Sequence, residues 1–235
     1  MKKLAPGLMV VFALFAYVLL AGWAPPKRMV VTALDTVLYA DNFSQADLGK
    51  MPVSLKTNGG GKLVVVDGVE GKWLQMQAQS TYKTVRPINL PARFMVSFDL
   101  VAVADEITDL SPVTFGFAVN NSVSRTIMDA YNDGGLCTVS LHYFNKSVLN
   151  ISSSATKVYA NTDFDLTGYT NRSMHVVMKA NGDELTVSLD GTQVFDTKVF
   201  RNNLGKYFFI SAPWEYKNKA VLALGNLVIV KDPAY

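Results

Sequence analysis

The sequence predicts an all-β sandwich, and three observations carry that prediction. Beyond residue 35 no segment sustains helical periodicity for three turns. Short runs with an apolar residue at every second position recur instead, separated by Gly, Asn and Asp. About 200 residues of this texture contain no repeat and no low-complexity linker, which fits one large antiparallel sandwich of two sheets.

The elements follow in order. Residues 36–43 (TVLYADNF) open the series. Residues 62–69 (KLVVVDGV) and 72–78 (KWLQMQA) come next, expected to be joined through Glu70-Gly71-Lys72. In 93–103 (RFMVSFDLVAV) Phe94, Val96, Phe98 and Leu100 fall on one face, and 113–120 and 137–144 have the same period of two. Residues 172–180, 184–190, 192–197, 206–212 and 221–230 complete the set, for an expected twelve to fourteen strands. The long apolar runs at 94–103 and 221–230 are read as central strands buried on both faces. The stretch 121–136 is the largest irregular excursion, with one helical turn expected around Thr126–Ala130.

Two hairpins are written with unusual clarity. Asn181-Gly182 and Asp190-Gly191 each match the type I′ turn, whose two central residues both need positive φ. Between them Leu185, Val187 and Leu189 alternate with Thr186 and Ser188, so one face is dry and the other wet.

The first 28 residues have a different texture. Two lysines precede an uncharged run from Leu4 to Pro26, which exceeds the ~7–15 residues of a typical signal core and reaches the ~20 that span a bilayer as a helix. Residues 1–28 are therefore expected to be a hydrophobic helix, either a signal peptide or an uncleaved anchor with its basic end in the cytoplasm. A linker, 29–36, and one domain, 37–235, follow. Either reading places the body outside the cytoplasm, in the periplasm or at the cell surface.

Charge and cysteine usage narrow the function further. Of 22 basic residues, Lys2, Lys3, Lys27 and Arg28 flank the N-terminal run, leaving 18 basic against 19 acidic groups in the remainder, a net −1. Nothing in that balance provides an electrostatic footprint for nucleic acid. The single cysteine, Cys137, lies in a strand pattern and reads as a small buried hydrophobe, so no intramolecular disulfide forms.

The run HVVMKANGDELTVSLDGTQVFD (175–196) resembles the meander of concanavalin A-like jelly rolls, the superfamily of laminin G-type modules, legume-type lectins and bacterial glucanase-like domains. Residues 41–76, beginning DNFSQADLGK, are similar to the opening of such domains in secreted bacterial proteins, and ALGNLVIVK (223–231) is similar to their last strand. The resemblance spans most of 37–231. It implies an antiparallel two-sheet jelly-roll sandwich, on which binding modules, enzymes and structural domains all occur.

The chemistry that the residues permit is limited. The glucanases of this superfamily carry Glu-x-Asp-x-x-Glu on one strand. Two residues after Glu70, Glu106, Glu184 and Glu215 come Lys72, Thr108, Thr186 and Lys217, so the motif is absent. His142 and His175 both sit within strands, with no G-x-S-x-G elbow and no zinc-type spacing. Asn161, Asp163 and Asp165 alternate like oxygen ligands of a calcium loop. Leu166 stands where a glycine belongs, and no bidentate glutamate follows, so a polar turn is the favoured reading and no cofactor is assigned. Five N-x-[ST] sequons, at Asn42, Asn120, Asn145, Asn150 and Asn171, read as compositional beside a bacterial-looking leader.

Sugar recognition needs an aromatic face and planar polar groups. Two loops offer both: Trp214, Tyr216 and Asn218 in SAPWEYKNK, and Tyr131, Asn132 and Asp133 in DAYNDGG. The function expected is a non-catalytic binding module for glycan or a cell-envelope polymer. The alternatives are an assembly domain that pairs with another envelope protein, and a glycan hydrolase with a non-standard carboxylate pair.

Overall fold

The computed structural model describes residues 37–201 and 204–231. The expected N-terminal helix (1–28) and linker (29–36) lie outside these residues. Among the described residues no helix is long and apolar enough to cross a membrane. Fifteen strands are present: β1 Val37–Asp41, β2 Leu55–Thr57, β3 Gly61–Val66, β4 Val69–Met76, β5 Thr81–Thr84, β6 Arg93–Val103, β7 Val113–Ala118, β8 Gly135–His142, β9 Val148–Ser153, β10 Tyr159–Asp163, β11 Ser173–Asn181, β12 Glu184–Leu189, β13 Thr192–Lys198, β14 Tyr207–Ser211 and β15 Val221–Lys231. They form two antiparallel sheets. One has eight strands in the order β13-β12-β11-β6-β15-β4-β3, with β1 added beside β15, and the other has seven in the order β10-β9-β8-β7-β14-β5-β2.

The alternation seen in the sequence places the core. Phe94, Val96, Phe98 and Leu100 of β6 are buried against Phe115 and Phe117 of β7 and Phe208 of β14. Phe94 and Phe117, like Phe98 and Phe115, meet edge to face at 5.2 Å between centroids, a geometry that puts a ring's positive edge on a neighbour's negative face. Cys137 faces the same core with no exposure, and burial pushes its thiol well above the ordinary range, so it packs and does not react.

Several expectations are corrected. Strands β2, β5 and β10 carry too few apolar residues to stand out, and together with β9, also unexpected, they raise the count among the described residues to fifteen. The β3–β4 hairpin turns at Asp67-Gly68, since Val66 pairs with Val69, and Glu70-Gly71-Lys72 lies inside β4. In the β11–β12 hairpin Asn181 pairs with Glu184, so the loop is Gly182-Asp183. Only Gly182 has positive φ, as a II′ turn requires, while Asp190-Gly191 has both residues positive and is the I′ turn expected. No helical turn forms at Thr126–Ala130, where the Ile127 amide donates to Thr81 Oγ1 and the Met128 carbonyl accepts from the Thr114 hydroxyl.

Strand β15 changes partner halfway. Its first half pairs with β4 and its second with β1, while β6 runs along its other side. A bulge between Gly225 and Val228 makes the switch, with Asn226 at φ 50°. Gly225 is needed there because a Cβ would come within 2.8 Å of the Trp73 ring. Trp73 itself joins Val66, Val101 and Ala223 in a small apolar cluster on the outer face of the eight-stranded sheet.

Candidate functional site

Residues directly opposite in an antiparallel ladder share a face, so the registers show what the outer face of the seven-stranded sheet displays. One row runs Thr81–Ser211–Thr114–Ser140–Asn150–Asn161, from β5 to β10. The next runs Gly116–Thr138–Ser152–Tyr159, with Phe209 opposite Gly116. On the other side of the first row His142, Val148 and Asp163 stand side by side. This face is built of short hydroxyl and amide side chains where the other face of the same strands is phenyl, leucine and valine. The hydroxyls pair across the strands: Thr81 with Ser211 at 2.7 Å, Thr114 with Ser140 at 3.1 Å, Thr138 with Ser152 at 2.8 Å.

Part of the face is covered. The 119–134 loop crosses it, tied down by the Ile127 amide donating to Thr81 Oγ1 (2.8 Å) and by the Thr126 hydroxyl donating to the Gln79 carbonyl. Ile127 packs against Ala118 and Phe209 as the loop's apolar anchor. Under this loop Thr81, Thr114, Phe209 and Ser211 are buried. Towards β10 the cover ends. Asn150 and His142 are half-buried, and Asn161, Asp163 and Tyr159 are exposed, Tyr159 at 66%. The open part is a shelf of two amides and a carboxylate flanked by Tyr159 and the exposed ring of Phe144, which meets His142 edge to face.

His142 and Asn150 lie 2.5 Å apart, Nε2 to Nδ2. With the amide donating, the imidazole accepts at Nε2 and is neutral, and burial lowers its pKa in the same direction.

The residues singled out in the sequence are distributed as follows. Tyr131 borders the shelf: its hydroxyl donates to the Ser153 carbonyl (3.3 Å) and the Lys157 ammonium sits 5.2 Å from its ring. Asn132 is committed to Asp129, and Asp133 pairs with Arg125 at 3.6 Å. Trp214 is 56% exposed, whereas the Tyr216 hydroxyl turns inward to the Met76 carbonyl (3.1 Å) and burial pushes its pKa up. Asn218 donates to Asp109 Oδ1 (2.9 Å), and Asp109 Oδ2 is buried without a hydrogen-bond partner among the described residues. The 107–109 turn that carries Asp109 packs against the 143–145 turn, so the Trp214 loop and Phe144 share one end of the sandwich.

Asn161 and Asp163 project from β10 onto the shelf. Asp165 instead caps its own turn, accepting from the Thr167 amide and hydroxyl, which hold its carboxyl below the usual range. Among the described residues no three His, Cys, Asp or Glu side chains form a metal-ligand group. A groove of about 750 Å³ beside β1 is lined by Asp41, but that carboxylate already accepts from Phe43 and Ser54.

The opposite sheet carries a feature that sequence reasoning missed. His175 Nδ1 and Asp99 Oδ1 are 2.5 Å apart, Asn226 donates to Asp99 Oδ2, and Asp190 accepts from the His175 amide. The residues lie far apart in the chain, so only the bulge in β15 and the β6–β11 register reveal the group. Asp99 raises the His175 pKa above 6.5. A folded-state pKa above the unfolded value adds stability that is complete below pH 6.5 and lost as pH rises through the folded pKa. NMR titration is expected to place His175 above 6.5, and Asp99→Asn to bring it down. An unchanged midpoint in the variant would remove Asp99 as the cause.

No protein-family model matches the sequence, and no curated protein matches it. Solved structures do share the fold. The carbohydrate recognition domain of Emp47p superposes with a TM-score of 0.61 at 12% identity, covering 86% of this chain and 100% of that one. The exoplasmic/lumenal domain of VIP36, bound to Ca²⁺ and Man3GlcNAc, superposes at 0.55 and 10% identity, covering 77% and 85%. Its metal-free form gives 0.56 at 8% identity. The shared fold is the concanavalin A-like jelly roll, a sandwich of two antiparallel sheets.

Proposed function

We propose that this jelly roll is a non-catalytic, extracytoplasmic glycan-binding module whose ligand lies on the β8–β10 shelf. The observation that carries the reading is the shelf itself. Asn150, Asn161 and Asp163 offer planar hydrogen-bonding groups beside the rings of Tyr159 and Phe144, on a face otherwise protected from water by its own loop. Sugar hydroxyls need such bidentate partners, and a sugar's C–H face needs an aromatic plane. Two structures that share the fold are described as a carbohydrate recognition domain and as a mannose-containing glycan complex, which supports the same reading. The extracytoplasmic location rests on the character of residues 1–28.

A glycan array probed with the full chain is the test. The wild type is expected to bind, and Asn161→Ala and Tyr159→Ala are each expected to weaken binding at least tenfold with the melting temperature preserved. A blank array for the wild type would overturn the reading. The second reading is an assembly domain of an envelope complex, favoured by Val65, 62% exposed on β3 at the edge of the eight-stranded sheet. A specific crosslinked envelope partner beside a blank array would support it.

A further inference from the structure

We infer that Lys83 and Lys56 form an anion subsite at the covered end of the polar face, and that the glycan taken by this module is acidic, carrying carboxylates as a uronate chain does. The inference rests on the glycan-binding reading above. Lys83 is 2% exposed, and its ammonium donates to the Asn120 carbonyl at 2.9 Å. It lies 6.0 Å from the Phe209 ring centroid. Among the described residues no carboxylate comes within ion-pair distance of it. Buried charges are ordinarily paired, because desolvating one without an opposite charge is costly.

The second lysine makes the arrangement stranger as a purely structural device. Lys56 of β2 stands directly across the ladder from Lys83 of β5, on the same outer face. Like charges in that position repel. Burial and this neighbour together push Lys83 down to about 8. A single carboxylate between the two ammonium groups offsets both effects with an attraction of its own and uses donors that Lys83 leaves free.

The pair is also in line with the shelf. Lys56 and Lys83 continue the row Phe209–Gly116–Thr138–Ser152–Tyr159, so one row joins a basic end on β2 to the open aromatic end on β10. Lys56, half-exposed on the edge strand, is the side from which an anion enters.

The test uses the full chain with trigalacturonate as probe and neutral galactotriose as control, by titration calorimetry at pH 7. Trigalacturonate is expected to bind at least fivefold more tightly than galactotriose. Lys83→Met and Lys56→Met are each expected to lower its affinity at least fivefold and to leave galactotriose binding unchanged. A smaller preference for the acid, or a smaller loss in either variant, overturns the subsite and leaves the glycan reading standing. If neither sugar binds, the glycan array alone decides the glycan reading, and the subsite is read with citrate by NMR. A rise in the Lys83 titration midpoint that Lys56→Met abolishes then supports the subsite, and no rise overturns it.

Discussion

Phe98→Ala is expected to lower the unfolding free energy by about 3–5 kcal/mol. Phe98 lies in the middle of β6, fully buried, with Phe115 edge to face at 5.2 Å and Phe208 tilted at 5.5 Å. Both neighbours belong to the opposite sheet, so the ring fills the space between two layers that cannot approach each other freely. Strands β11 and β15 hold β6 in register along both edges, which prevents local collapse into the cavity. Since domains of this kind are stable by roughly 5–15 kcal/mol, the variant loses a large share of its margin. Urea unfolding should show a lower midpoint at unchanged slope. A loss below about 1 kcal/mol would contradict the inter-sheet contact.

Lys83→Met is expected to stabilise the free protein at neutral pH, by an amount on the order of 1–3 kcal/mol. The side chain is buried, and its folded-state pKa of about 8 lies below the unfolded 10.5. A depressed folded value means that the fold disfavours the charged form. This group's contribution to stability is therefore fully present above pH 10.5 and is lost as pH falls through 8. Methionine retains the length and removes the charge, so the difference between variant and wild type should be largest below pH 8 and shrink towards pH 10.5. Urea midpoints measured across pH 7–10 check this directly. A variant less stable than the wild type would mean that the Asn120 hydrogen bond outweighs the burial of charge. The expected gain also strengthens the binding test, since a more stable variant that loses acidic ligand has not lost it by unfolding.

Much of the fold was legible in residues 93–103 and 184–189. Their period of two is set by the pleat, and a one-residue slip would expose every core side chain. The short strands were not legible. Tyr159–Asp163 and Thr81–Thr84 have little apolar alternation and hold their places through neighbours already in the sheet. Asn161 and Asp163 therefore read as part of a polar turn, whereas pairing with β9 places them on a strand. Tyr216 and Asn218 looked like a binding pair because composition does not report direction: one hydroxyl is spent on Met76 and one amide on Asp109.

The site was legible only as a list of ingredients. Aromatic and amide residues in loops are visible in one dimension, but Thr81, Ser211, Thr114, Ser140, Asn150 and Asn161 come from six strands. They form a row because antiparallel pairing brings distant residues opposite one another. The Lys56–Lys83 and Asp99–His175 pairs arise in the same way. By itself the sequence determined the class of fold, the buried face of its long strands and the tight turn at Asp190-Gly191, since each depends on neighbours along the chain. Tertiary structure alone decided which polar groups meet and which remain open to a ligand. Those properties depend on strand order and on the path of one loop, and neither leaves a period in the sequence.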